Sequence, residues 1–184
     1  AAELIRRAGG IAEEDVLEDI SGGCAATVAY LDGSDWGGVN AGVSVNDKGV
    51  LSGSKFMVPD AAQATWIAVV GSDAAGDAVV ALVAGGDVAA QAQASHALID
   101  LTKRASTLDF TGVKAQRVLS GDKVASAIRD YLLIGALLTA AEAVGSTSAC
   151  LAGIVDYLKT RKQFGKLIGS FQALKHPTVD IYVG

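Results

Sequence analysis

"AAEAVGSTSACLAGIVDYLKTRKQFGKLIGSFQALKH", Ala140 to His176, decides how this chain is to be read. Its first half repeats apolar and small residues every three or four positions. With the residues just before it, Leu133, Leu137, Ala140, Val144, Ser148, Leu151, Val155 and Leu158 fall on one helical face. The period sets in near residue 120, with Ser120 and Asp122 as candidate N-caps and Gly165 as a candidate stop. A second helix is expected from Ser170, with a kink or an end at Pro177, which lacks a backbone donor. The second half changes chemistry: Arg161, Lys162 and Lys166 surround Phe164, Phe171, Gln163 and Gln172. Cations closing a long helix are favoured by its dipole with or without a ligand. The other meaning of the cluster is a grip on an anion. Gly165 and Gly169 are expected to serve loop and cap, not a membrane dimer motif.

Upstream the character differs. "AATVAYL", "GVSV", "GVLSGSKFMV", "TWIAVVG", "DAVVALVA" and "STLDFTGV" are short β-branched runs separated by Gly, Asp, Asn and Ser. Asn46 to Gly49 and Ser72 to Asp77 have hairpin-turn chemistry. An antiparallel β-sandwich or barrel is expected over 21–120, followed over 121–184 by the start of a helical bundle. Residues 1–20 are expected to form a short acidic amphipathic helix. Two helices with so much apolar surface cannot bury it alone, so further chain or a partner must cover it.

With 51% hydrophobic and 19% charged residues, the chain can build a core. A net charge of −5 excludes nucleic acid as the main partner, because a phosphate backbone needs a basic face. Cys24 and Cys150, with His96 and His176, have no metal-ligand spacing, so no metal is expected. Both cysteines are expected to be buried, free and in a reduced, cytoplasmic compartment. No secretory leader is expected at the start. Residues 131–155 are long and apolar enough to span a bilayer, but Glu142 would sit near the middle, so a buried helix of a soluble bundle is expected.

Four stretches resemble the acyl-CoA dehydrogenases. The helical segment resembles that family's Arg-x-x-Phe-Gly run with its following Gln, here Arg161, Phe164, Gly165 and Gln172. "VLSGSKFMVPDAAQATWIAVV" resembles the Leu-x-Gly-x-Lys strand of the middle domain, and "LIDLTKRASTLDFTGVKAQRVLS" the strand leading out of it. "GSD", Gly33 to Asp35, resembles the end of the Thr-Glu-Pro-x-x-Gly-Ser-Asp loop. The resemblance covers about residues 21–184. It implies a middle β domain and part of a C-terminal four-helix domain, with the N-terminal helical domain largely absent.

The resemblance also implies FAD and an acyl-CoA substrate whose Cα–Cβ bond is oxidised, with flavin accepting the hydride. Arg161 would meet the FAD diphosphate across a subunit interface, where a planar guanidinium suits it. Phe164 and Gln172 would line the adenosine end, beside Gln163 and Phe171. On the ring side Ser34 is the candidate hydroxyl, while Tyr30 or Leu31 stands where the family has Thr. Met57 and Pro59 replace the family's ring-contacting Trp and Thr/Ser, and proline offers neither hydroxyl nor N–H. No residue is assigned as the catalytic base. A minority of members place that glutamate near the position of Gly135, and Glu142 lies two turns later.

Three functions follow as expectations. The first is a conventional dehydrogenase in a homo-oligomer. The second is a pseudo-subunit in an α2β2-like hetero-oligomer, resembling the heteromeric branch that degrades steroid side chains. It would keep the adenosine grip and lack the ring contacts. The third is a scaffold without flavin.

Overall fold

The computed structural model describes residues 1–9, 14–33, 42–88 and 93–183. It has two compact units, Ala1–Leu132 and Leu133–Gly184. The first carries eight strands: β1 (Ala26–Ala29), β2 (Val43–Val45), β3 (Leu51–Pro59), β4 (Trp66–Ser72), β5 (Ala78–Ala84), β6 (Gln93–Ser95), β7 (Ala105–Asp109) and β8 (Arg117–Leu119). Their order is β6-β7-β3-β2-β4-β5-β8, with β1 also beside β4.

The expected hairpins form. Asn46 Oδ1 accepts from the amides of Lys48 and Val50, and Gly49 takes φ 74°. Asp73 Oδ1 accepts from Ala75 and Asp77, with Gly76 at φ 89°. The sheet is mixed, not purely antiparallel. β1 pairs parallel with β4 from Ala26↔Trp66 to Ala29↔Val69, and β2 touches the same strand in parallel at Ser44↔Ser72. Both strands therefore lie in line along one edge of β4.

Burial explains why β4 and β5 are almost wholly apolar. Ile67, Val69, Val79, Ala81 and Val83 point into one core, with Leu51, Leu108 and Phe110. Ala68, Val70, Val80 and Leu82 point into a second core on the other face. A strand covered on both sides has no use for a polar alternate. The second core is closed by two helices, α1 (Ala2–Gly9) and α2 (Glu14–Ser21), through Leu4, Ile5 and Val16. A single helix was expected over 1–20; the apolar stripe is instead split between two.

Ion pairs tie these helices down. Glu3 accepts from Arg6 (2.8 Å), Arg7 also donates to Asp130 (2.6 Å), and Arg117 grips Asp15 through both guanidinium nitrogens. Arg6, then Arg7, lowers the Glu3 carboxyl from 4.5 to about 2, and Arg117 lowers Asp15 from 3.8 to about 2. A depressed acid contributes stability that is complete above its unfolded value and lost as pH falls through the folded one. Amide exchange in 1–9 and 14–21 is therefore expected to rise between about pH 4 and pH 2, ahead of β4 and β5. Simultaneous loosening of helices and sheet would contradict this.

The long helix α3 (Asp122–Thr160) starts in the first unit, where Val124, Ala127 and Ile128 join the second core. The second unit holds the rest of α3, then β9 (Lys162–Gln163), β10 (Lys166–Leu167), a 3-10 turn at Ile168–Ser170, and α4 (Gln172–Val183). Gly165 does not stop α3, which ends at Thr160; the glycine serves a hairpin turn instead. Pro177 does not end α4. It removes one ladder bond, and the adjacent Thr178 hydroxyl bonds the carbonyl of Leu174 (2.7 Å).

The burial expected for α3 is not found. Leu133, Leu137, Leu138 and Val144 are 62–69% exposed, and only Leu151, Val155 and Leu158 of the expected face are half-covered in this stretch. Cys150 is exposed on the same helix and Cys24 is half-buried, so neither is the buried thiol expected. The described residues supply no helix to cover this face. By length and composition α3 could cross a membrane, with Glu142 midway.

Candidate cofactor site

The residues expected to form the grip lie on one hairpin and at the end of the turn and start of the helix that follow it. Arg161 follows α3 directly: its amide still donates to Tyr157 O (2.9 Å), while its carbonyl accepts from Ile168 (2.9 Å). Between these bonds β9 and β10 pair antiparallel, Gln163↔Lys166 and Lys162↔Leu167. Two residues remain for the turn, Phe164 at φ 53° and Gly165 at φ 76°. Positive φ at both central residues marks a type I′ turn, the usual two-residue hairpin connection. Glycine does this freely, whereas a phenylalanine in the left-handed region costs about 1–2 kcal/mol. Strain at an exposed aromatic is a pointer to function.

Phe164 is 91% exposed and meets Phe171 edge-to-face, with ring centroids 6.3 Å apart. Phe171 is half-buried, anchored by its amide on Ile168 O (3.1 Å). The turn before it packs tightly on α3: a Cβ on Gly169 would lie 2.7 Å from Leu158 O. Gln172 opens α4 and Gln163 lies in β9, both exposed. Thus Arg161, Gln163, Phe164, Phe171 and Gln172 share one surface segment. From Tyr157 to Val179 there is no carboxylate, against five cations: Lys159, Arg161, Lys162, Lys166 and Lys175. No ion pair to a described residue holds the Arg161 guanidinium. A cationic hairpin with an exposed ring suits a phosphorylated, planar ligand.

The other candidates lie in the first unit. Ser34 falls outside the described residues. Met57 sits at φ 52° where the β3–β7 pairing slips between Lys55 and Val58, so Phe56 and Met57 together oppose Thr107. Two residues facing one make a β-bulge, which re-aims side chains. Pro59 follows, exposed and opposite Ala105. The Phe56 amide donates to Leu31 O (2.7 Å), bringing Leu31 beside the bulge. Leu31, Met57 and Pro59 offer no hydroxyl, and Pro59 no N–H. Among the described residues this half gives a flavin ring no side-chain donor, whereas the hairpin carries the cations and exposed ring that a diphosphate and an adenine could use.

Three residues beside the bulge had no assigned role: Lys55, Asp32 and Gly42. Lys55 is 2% exposed, and its ammonium donates to Tyr30 O (3.0 Å) and to the Asp32 carboxylate. Burial pushes its pKa below the ordinary 10.5, and the bond to Asp32 opposes that shift. The signal was the lysine itself, at an inward-facing position of a strand.

The profile of the acyl-CoA dehydrogenase C-terminal domain matches residues 125–184. Acyl-CoA dehydrogenase IpdE2 of Mycobacterium tuberculosis is 56% identical over 48 residues, 26% of this chain and 15% of that protein. Two solved structures share the fold. The ChsE4-ChsE5 complex of M. tuberculosis superposes with a TM-score of 0.73 at 28% identity, covering 100% of this chain and 50% of that one. The Tcur3481-Tcur3483 steroid ACAD (G363A variant) gives 0.75 at 27%, covering 99% and 49%. The chain thus spans about half the length of these structures.

Proposed function

We propose that this chain, whose fold resembles acyl-CoA dehydrogenase structures and whose residues 125–184 match that family's C-terminal domain, is a subunit of an FAD-dependent acyl-CoA dehydrogenase. In this reading the chain contributes the adenosine and diphosphate side of the FAD site to a partner subunit that holds the ring. FAD, when bound, supplies the hydride acceptor for α,β-desaturation of an acyl-CoA thioester. This chain's part is to bind and orient. Arg161 takes the diphosphate with a planar, permanently charged fork, and Phe164 with Phe171 flanks the adenosine. Gln163 and Gln172 supply amide contacts at its edge. The acyl group belongs to a steroid side chain or a fatty acid. The uncovered faces of α3 and α4 need apolar partners, supplied by further chain or by a partner subunit.

The contrast between the two half-sites carries this reading. The hairpin is cationic, free of carboxylates and topped by a strained, exposed phenylalanine. The bulge presents Leu31, Met57 and Pro59. The test is visible flavin absorbance of the full-length protein, purified alone and co-expressed with its genomic neighbour. Flavin is expected only in the pair. Flavin held stoichiometrically by the chain alone would reject the division of labour, and none in either sample would leave a scaffold.

A further inference from the structure

Among the described residues Lys55 is the one fully buried charged side chain. Burying an ammonium is costly unless it is paired and hydrogen-bonded, so its surroundings should be built around it. Four features converge there. The ammonium bonds Tyr30 O and the Asp32 carboxylate, and the next amide in β3, that of Phe56, bonds Leu31 O. Asp32 lies flat against Gly42, where an added Cβ would sit 2.6 Å from Asp32 Oδ1. Gly42 in turn presses on β3, since a Cβ on Gly53 would fall 1.8 Å from Gly42 O. Asp32 follows β1 and Gly42 immediately precedes β2, the two strands on one edge of β4. Both are therefore tied to β3, within five residues of Met57.

We propose that Lys55 is a positioning residue: its charge pins Tyr30–Asp32, and through Asp32 also Gly42, onto β3 and so sets the shape of the bulge at Met57 without help from a cofactor. This rests on the reading above only in taking the bulge as the position that corresponds to the family's ring contacts, which in that reading holds no ring. A hydrophobic plug of the same size would fill the space but leave the Asp32 carboxylate without its cation. The charge, not the volume, is the operative property. An arginine keeps it.

The test is hydrogen exchange on the full-length chain assembled with its partner, comparing wild type with K55M, K55R and D32N. Peptides covering 26–33 and 51–59 report the pin, and those covering β4 and β5 report the global fold. Loss of one partner of a buried pair is expected to speed exchange at 30–33 and 55–57 by at least about tenfold in K55M and D32N, with β4 and β5 unchanged. K55R should stay within about threefold of wild type. Unchanged exchange at 30–33 in both K55M and D32N would overturn the proposal. So would equal acceleration across β4 and β5, which would make Lys55 an ordinary part of the core. If K55M does not fold, D32N gives the same answer, because it removes the charge and keeps the shape. Flavin content of the wild-type pair is read in the same samples. Its absence would reject the proposed function and leave the exchange result standing.

Discussion

Arg161→Ala is expected to release FAD from the assembled protein. A guanidinium facing a diphosphate makes charge-assisted, bidentate hydrogen bonds worth about 1.5–3 kcal/mol each. Losing one such pair costs about 3–6 kcal/mol, which is roughly a 150- to 25,000-fold rise in Kd for FAD. The fold should not change. Arg161 contributes to the hairpin through its backbone, as donor to Tyr157 O and acceptor from Ile168, and alanine keeps both bonds. Its side chain is exposed and has no ion pair with a described residue to lose. Equilibrium dialysis of FAD against the pair, with far-UV circular dichroism as the control, checks both halves. Unchanged affinity would mean that the cations merely close α3.

Gly53→Ala is expected to be the most damaging single-methyl change. Gly53 has φ 117°, a region L-residues rarely enter, at about 1–3 kcal/mol. The new Cβ would lie 1.8 Å from Gly42 O and 2.9 Å from the Gly42 carbonyl carbon, both backbone atoms that cannot rotate away. Relief requires separating β3 from Gly42 and Val43, which breaks the Val43↔Gly53 pairing. The sum exceeds about 4 kcal/mol, so the melting temperature should fall by about 8–16 °C for a chain of this length. Gly76→Ala is the matched control. It also has positive φ (89°) but nothing within 4 Å of the added Cβ, so it should cost only about 1 kcal/mol. Calorimetry that ranks the two equally would contradict the steric account.

The uneven legibility of this sequence has physical causes. β4 and β5 were plain because they are buried on both faces, so nearly every position had to be apolar. Their hairpin, and the one before β3, were plain because Asp73 and Asn46 use side-chain oxygens in local turns. The parallel contacts of β1 and β2 with β4 were not legible, since they depend on where distant segments meet. β6 and β8 have only three residues each, too few for a period to show. The sequence points to Gly165 as a helix stop because glycine is the usual residue after a helix end, and phenylalanine before it is a poor signal for a type I′ turn. That conflict is resolved only in the fold. Arg161, Phe164 and Gln172 stand out because their chemistry departs from the apolar helix before them; the cofactor role expected of them comes from the resemblance to the family's motif. Lys55 gives a weaker signal: its strand position faces inward, but a lysine in a strand usually reads as a surface residue, and the positions of Asp32 and Gly42 show why this one is buried.

The most direct measurement is the ratio of flavin to protein chains in the purified complex, from visible absorbance and amino-acid analysis of one sample. If this chain grips the adenosine end of a flavin whose ring its partner holds, the ratio is one FAD for each pair of unlike chains, and Arg161→Ala empties it. One FAD for every chain would show that the bulge at Met57 and Pro59 holds a ring of its own, and would contradict the account.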